Sequence, residues 1–227
     1  MESEARMGNN GEKLRIAMFG QKRWSREGGI EVVVEELSTR MVKLGHPVTC
    51  YNRGGHHVSG KEFDGTKLHE YEGVKLKTVP TINGKGLAAV SSSFFAALVS
   101  AFGRYDVVHI HAEGPAAMCW LPKLFGKRVV VTVHGLDHQR GEKWGKFARK
   151  YIMLGEKSAV RYADEIIVLS RGVQQYFANT YGRKTVFVPN GVERPKVLPE
   201  KLIKEKYGLD KDSYLLFLGR LVPEKGI

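Results

Sequence analysis

The sequence predicts an α/β fold: one doubly wound parallel sheet, followed by the first strand of a second domain. Three observations carry that reading. Short runs rich in Val and Ile, such as VVHIHA (107–112) and RVVVTVHG (128–135), lack the polar alternation of a one-sided sheet, as parallel strands buried on both faces do. Stretches with apolar residues at helical spacing separate these runs. Finally, 227 residues with 42% hydrophobic content bury one sizeable core and part of another.

The elements follow in order. LRIAMFG (14–20) is the first strand. IEVVVEELSTRMVKLG (30–45) then brings Val33, Leu37, Met41 and Leu44 to one helical face, and PVTCYNR (47–53) completes a β-α-β unit. VKLKTVP (74–80), the two runs quoted above, EIIVLS (165–170) and TVFVPNG (185–191) continue the strands, with helices expected over 87–103, 115–125, 141–162 and 172–180. The domain so delimited spans 14–191. Residues 1–13 read as a disordered leader, because MESEARMGNNGE has no apolar run of the kind a signal peptide needs. Residues 192–212 are polar and carry Pro195 and Pro199, the texture of an interdomain linker with one short charged helix. YLLFLGR, within 213–227, opens what reads as the first strand of a truncated second domain.

Composition limits the function classes. No stretch reaches the roughly 18 apolar residues of a membrane span, so a cytoplasmic protein is expected. Cys50 and Cys119 are far apart with no CxxC spacing, which suits buried, reduced thiols. The formal net charge of +12 implies an anionic partner: a nucleotide, a nucleic acid or lipid head groups. Aromatic residues do not interleave with a basic patch in the manner of RNA-binding modules. Nucleic acid is therefore not the expected partner, although a basic nucleic-acid-binding module stands as an alternative.

Ligands of such a sheet bind outside the carboxyl ends of its strands. His134 ends a strand there, and Gly135 after it allows close approach of backbone or ligand. The loop GQKRWSREGGIE (20–31) leaves the first strand and sets Gly28 and Gly29 at the next helix start, where free amides suit an anion. It is not a GxGxxG fingerprint, and the chain has no P-loop. Glu31 reads as a first-turn residue favoured by the helix dipole. Asp137, His138 and Arg140 follow the HG pair, either to bind acceptor hydroxyls or to cap the next helix. His109 and His111 share one strand face but lack a third ligand nearby in sequence, so no metal is assigned to them.

EGGIE (27–31), DVVHIH (106–111), VTVHG (131–135), ADEIIVLS (163–170), VPNGV (188–192) and LGRLVPEKGI (218–227) resemble, in order and distance, the retaining glycosyltransferases of family 4. HGLDHQRGEKWGKFARKYI is similar to a subgroup that includes bacterial polysaccharide rhamnosyltransferases. The resemblance implies a GT-B architecture, in which 14–191 is the Rossmann-like, acceptor-side domain and 213–227 the start of a donor-binding domain. It implies transfer of a sugar from a nucleotide-sugar to a glycan or lipid-linked acceptor with retention, in cell-surface polysaccharide synthesis. It assigns Gly28, Gly29 and Gly135 to the donor, His134 to the donor sugar, and Arg220 and Lys225 to the departing diphosphate. Two fixed cations stabilise that developing charge, and the chain has no DxD pair, so no cofactor and no metal are expected. The family's pair of glutamates in the second domain has no counterpart here, so this chain alone is expected to be inactive, and a non-catalytic acceptor- or partner-binding half-protein is the alternative.

Residues 139–161 are rich in Lys and Arg. Trp144, Phe147, Tyr151 and Leu154 fall on one helical face, expected to pack on the core. The sharper expectation is peripheral contact of this segment with anionic membrane at the inner face.

Overall fold

The computed structural model describes residues 13–25, 28–55, 68–84, 86–137, 145–192, 199 and 201–218. The chain divides into two compact units, Met1–Asn190 and Gly191–Ile227. In the first, β1 (Ile16–Phe19), α1 (Gly29–Lys43) and β2 (Val48–Arg53) form the opening β-α-β unit. A hairpin of β3 (Glu70–Tyr71) and β4 (Val74–Val79) follows, then α2 (Leu87–Phe102), β5 (Val107–His111), α3 (Glu113–Ala116) and α4 (Trp120–Leu124). The unit continues with β6 (Arg128–Val133), α5 (Lys146–Tyr162), β7 (Glu165–Val168), α6 (Arg171–Tyr181) and β8 (Val186–Phe187).

These strands make one sheet in the order β3-β4-β2-β1-β5-β6-β7-β8. Every pairing is parallel except β3 with β4. The α/β class read from the sequence is therefore the observed one. The chain steps one way from β1 to β2 and the other way from β5 to β8, so right-handed crossovers place α1 on one face and α2 to α6 on the other. The core divides accordingly. Ile16, Met18, Val48, Cys50, Val74 and Leu76 pack with Val34 of α1, whereas Ala17, Phe19, Val108, Ile110, Val129, Val131 and Ile166 pack with Ala97, Ala159 and Phe177. Alternate residues of one strand serve opposite cores, which is why these strands show no polar alternation. The cover on α1's side is incomplete, since Val107, Val130 and Ile167 are only half-buried. Cys50 and Cys119 are buried free thiols.

Several expectations are corrected. Of the expected α1 face, Leu37 and Met41 pack against the core beside the buried Val34, whereas Leu44 is 76% exposed as the C-cap. The helix expected over 115–125 is two short helices, because Pro122 has no amide to continue the ladder. On α5 the buried residues are Ile152, Gly155, Glu156, Ser158 and Ala159, whereas Phe147 is 90% and Leu154 57% exposed. Phe147 and Leu154 thus point outward, whereas Tyr151 of the same expected face is partly buried, with its hydroxyl wholly so. Trp144 lies outside the described residues.

In the second unit, α7 (Lys201–Tyr207) is the described helix and none of its residues is buried. Tyr214–Leu218, expected as a strand, joins no ladder, and Leu215 and Leu218 are almost wholly exposed. A strand needs a neighbour to take its amides and carbonyls, and the described residues of this unit contain none.

Candidate functional site

The parallel strands all end at one edge of the sheet, and the candidate residues are delivered there by their strands. β1 ends at Phe19 and continues through Gly20, whose φ is 121°. A Cβ at Gly20 would lie 2.0 Å from the carbonyl oxygen of His111, so only glycine lets β1 and β5 run this close. The loop that follows leads to Gly28, the N-cap of α1, and Gly29, its first residue. β6 delivers His134 to the same edge, and Gly135 turns the chain away with a φ of 150°. His134 and the glycine pair thus share one end of the sheet. β1 and β6 flank β5, a lateral separation of about 10 Å at two strand spacings.

The surroundings of Gly28 and Gly29 differ. Gly28, the N-cap, brings no side chain of its own to the first amides of α1. Glu31, however, folds back beside Gly28: a Cβ there would meet its Oε2 at 2.1 Å, and its Oε1 accepts the Lys22 amide at 3.0 Å. The carboxylate already uses the close approach that Gly28 permits. Gly29 faces open space.

His134 is the outer member of a row of three imidazoles. Its Nε2 shares a hydrogen bond with His111 Nδ1 at 3.1 Å. The His111 ring lies 4.2 Å from that of His109, centroid to centroid, and His109 Nε2 bonds Thr132 Oγ1 at 2.8 Å. Burial lowers all three pKa values, those of His109 and His134 to about 4. The row is therefore uncharged near neutral pH. His111 Nε2 is buried without a partner, and this decides the tautomers. A buried lone pair left unpaired costs less than a buried N–H left unpaired. His111 then holds its proton on Nδ1 and donates to His134 Nε2, so the remaining nitrogen of His134 carries an N–H as a donor.

Next to this row stands a carboxyl pair that sequence reasoning missed. Glu113, first residue of α3, and Glu156 of α5 are almost completely buried. Burial and the hydrogen bond to Glu156 push the Glu113 pKa well above the usual carboxyl range. The two carboxyls hydrogen-bond each other, which needs one proton between them. Glu113 Oε2 accepts the Asp137 amide at 2.8 Å, and Glu156 Oε1 accepts from Tyr176 at 2.9 Å and from Tyr181. The pair thus ties the segment after His134 to α3, α5 and α6.

A third group lies on the α2 side of the same edge. Gln21, Arg53, Ser92 and Ser93 line a small cleft over Phe19 and Tyr51. Burial lowers the Arg53 pKa, while Glu31 and Tyr151 act to raise it.

Among the residues singled out in sequence, the structure therefore brings His134, Gly135, Gly28 and Gly29 to one edge. Asp137 contributes its amide to Glu113. His138, Arg140, Arg220 and Lys225 lie outside the described residues. Glu113 and Arg53 were open to the reasoning that found His134, since each stands where a strand run ends. Glu156 carried a weaker signal, a lone carboxylate on the face of Ile152 and Ala159. Among the described residues, no three His, Cys, Asp or Glu side chains are grouped to hold a metal ion.

The profile of Glycosyltransferase Family 4 matches residues 27–194. An uncharacterized glycosyltransferase, YqgM of Bacillus subtilis (strain 168), is 28% identical over 126 residues, 55% of this chain and 33% of that protein. The D-inositol 3-phosphate glycosyltransferase of Kineococcus radiotolerans is 25% identical over 223 residues, covering 87% of this chain and 49% of that one. The chain spans a third to a half of the length of these curated relatives. Among solved structures, the catalytic domain of starch synthase IV from Arabidopsis thaliana, bound to ADP and acarbose, superposes with a TM-score of 0.55 at 14% identity. It covers 80% of this chain and 52% of that one. Arabidopsis thaliana UGT89C1 complexed with quercetin gives 0.53 at 11% identity, covering 88% and 56%. At such identities the likeness shows the fold, that of GT-B glycosyltransferases.

Proposed function

The chain belongs to glycosyltransferase family 4, and on that premise we propose that it is the acceptor-side domain of a retaining transferase. The full enzyme would move a hexosyl or deoxyhexosyl group from a nucleotide-sugar to a glycan or lipid-linked acceptor in cell-surface polysaccharide synthesis. The observation that supports this most is the meeting of His134–Gly135 with the glycine start of α1 at one sheet edge. The two also share a face, since β1 and β5 pair in register Met18 with His109, and β5 and β6 pair His111 with Thr132, on the side of α1.

The chemistry follows from these groups. The first amides of α1 and its dipole suit the donor diphosphate, Gly29 leaving room for it. The neutral His134 offers an N–H to a sugar oxygen without placing a fixed positive charge beside a developing oxocarbenium ion. Arg220 and Lys225, assigned by resemblance, would neutralise the departing diphosphate, and that neutralisation removes the need for a metal. The likeness of 134–152 to polysaccharide rhamnosyltransferases makes a deoxyhexose the donor sugar to try first.

Peripheral contact with anionic membrane through 139–161 belongs to the same proposal, with the protein on the cytoplasmic side. It is supported by the outer face of α5, where Phe147 and Leu154 are exposed among exposed Lys146, Arg149, Lys150 and Lys157. Among the described residues, no helix is long and apolar enough to cross a membrane.

Turnover of a panel of sugar nucleotides by the full polypeptide, with the product anomer assigned by NMR, tests the reaction. His134→Ala should lower kcat by about 100-fold, the loss of one transition-state contact. Unchanged kinetics would give His134 a structural role only, and an inverted product anomer would remove the retaining mechanism.

A further inference from the structure

A larger cleft lies at the other end of the sheet, where the parallel strands begin. Its volume is about 430 Å³, within the range of small-ligand sites. Four cations line it: Arg15 ahead of β1, Lys75 and Lys77 of β4, and Arg104 in the turn after α2. Register places both lysines on the α2 face of the sheet, since Lys75 pairs with Thr49 and Lys77 with Tyr51, and Tyr51 belongs to the core on that side. On this face β4 sends Val79 into the core but exposed Lys75 and Lys77 to the cleft. The floor is neutral: Val48 and the hydroxyls of Tyr51 and Tyr105, bonded to each other at 2.8 Å, set no carboxylate against an anion.

The fold does not use up these cations. Asp106 is engaged by Arg15 alone, accepting from its amide at 2.8 Å, its Nε at 3.0 Å and its Nη2 at 2.7 Å, so the Nη1 protons stay uncommitted among the described residues. Lys75, Lys77 and Arg104 form neither a hydrogen bond nor an ion pair among them. Glu70 stands opposite Lys75 in register without pairing with it. Two ordinary roles are also excluded. Lys127 already takes the carbonyls at the end of α2, those of Gly103 at 2.8 Å and Tyr105 at 3.1 Å, so Arg104 is not needed there. β4 lies inside β3, so its lysines guard no open edge. Like charges gathered without counter-ions repel, and an anion that bridges them removes that cost. Lys75 and Lys77 are about 7 Å apart along their strand, and Arg15 stands two strands away, a step of about 10 Å. Cations on two sides of one volume match two anionic groups rather than one.

We propose that this cleft binds a small metabolite bearing two phosphate groups, one held by Lys75 and Lys77 and the other by Arg15 and Arg104. The site lies at the opposite end of the strands from His134 and Gly28, so its ligand is an effector and not a substrate of the transfer reaction. Its binding stabilises the folded domain by mass action. The proposal goes beyond the transferase reading and does not depend on it. A soluble ester fits better than a nucleic-acid strand, because the cations surround one volume, and Tyr51 at its floor is 6% exposed, which leaves a base little to stack on.

The test is binding rather than turnover. The chain, labelled with nitrogen-15, is titrated at low salt with inorganic phosphate and with fructose 1,6-bisphosphate, and the amides of Thr49 and Tyr105 are followed beside those of Gly28 and Gly29. The bisphosphate should bind about 10-fold or more tightly than phosphate, since each of its groups meets its own pair of cations. It should shift Thr49 and Tyr105 and raise Tm. Lys75→Met/Lys77→Met should reduce its affinity to that of phosphate without lowering the Tm of the free chain, as neither lysine makes a bond that is lost. Lys184→Met/Lys201→Met removes two exposed lysines elsewhere and should leave binding unchanged, which separates the cleft from net charge. Equal affinity for the two ligands, no shift of Thr49 and Tyr105 with millimolar bisphosphate, shifts confined to Gly28 and Gly29, or an equal loss in both double variants would overturn the proposal. Displacement of the bisphosphate by a lower concentration of single-stranded oligonucleotide would overturn it in favour of nucleic acid, and binding to phosphatidate vesicles without binding to the soluble ester in favour of a lipid head group.

Discussion

Gly155 is where α5 meets the turn between β5 and α3, and Gly155→Ala tests how rigidly that contact is set. A Cβ at this position would lie 1.8 Å from the Glu113 carbonyl oxygen, 2.8 Å from its carbon and 3.1 Å from the Ala117 nitrogen. All three are backbone atoms, so no side chain can rotate aside. An ordinary carbon–oxygen contact needs about 3.3 Å, and the helix must therefore withdraw by about 1.5 Å. That movement separates Glu156 from Glu113 and Ser158 from the Ala117 carbonyl. Overpacking of a core costs about 1–3 kcal/mol, and a backbone-on-backbone collision belongs at the upper end. Alanine's better helix propensity returns at most about 1 kcal/mol, leaving a net loss of about 2 kcal/mol. At about 2–4 °C per kcal/mol for a domain of this size, Tm should fall by about 4–8 °C in thermal unfolding followed by circular dichroism. Gly172→Ala on α6, where an added Cβ meets nothing within 4 Å, is the control and should be neutral or stabilising by up to about 1 kcal/mol. A Gly155→Ala protein that melts at or above the wild-type temperature would refute the packing argument.

The remaining predictions concern titration and membranes. Because the folded Glu113 holds its proton above the usual carboxyl range, the folded state binds more protons than the unfolded one. Its stabilisation is complete below about pH 4 and is lost as pH rises through the folded pKa. Glu113→Gln should flatten the decline of Tm above pH 7, where the three buried histidines are neutral in both states; a curve parallel to wild type would dismiss the shared proton. In liposome sedimentation, binding should require anionic lipid, weaken with salt and fall in Lys146→Glu/Lys150→Glu, each cation being worth about 1 kcal/mol near such a surface. Indifference to anionic vesicles at low salt would remove the membrane contact.

Linear order alone determined the fold class and the edge where function gathers. Val- and Ile-rich runs separated by helical patterns specify a parallel sheet, and parallel strands present all their carboxyl ends together, so His134 and Gly28 could be placed near one another although 106 positions apart. Local pattern failed where burial depends on a distant partner. Phe147 and Leu154 look like core residues, yet α5 turns them outward because Gly155 allows a backbone contact that no apolar side chain could replace. Hydrophobicity says how well a residue would fit a core, not which face of a helix finds one.

The polar interior was decided by tertiary structure alone. Glu113 and Glu156 are 43 residues apart, and neither shows in sequence that it meets a second carboxyl and shares its proton. His111 reads as a strand residue beside His109; only the adjacent β6 supplies the His134 nitrogen that sets its tautomer. Gln21, Arg53 and Ser92 come from three elements that β1, β2 and α2 bring to one cleft. Sequence periodicity records which side chains leave water, because that preference belongs to each residue separately. Hydrogen bonds and shared protons belong to pairs, and the pairs exist only once the strands have taken their order in the sheet.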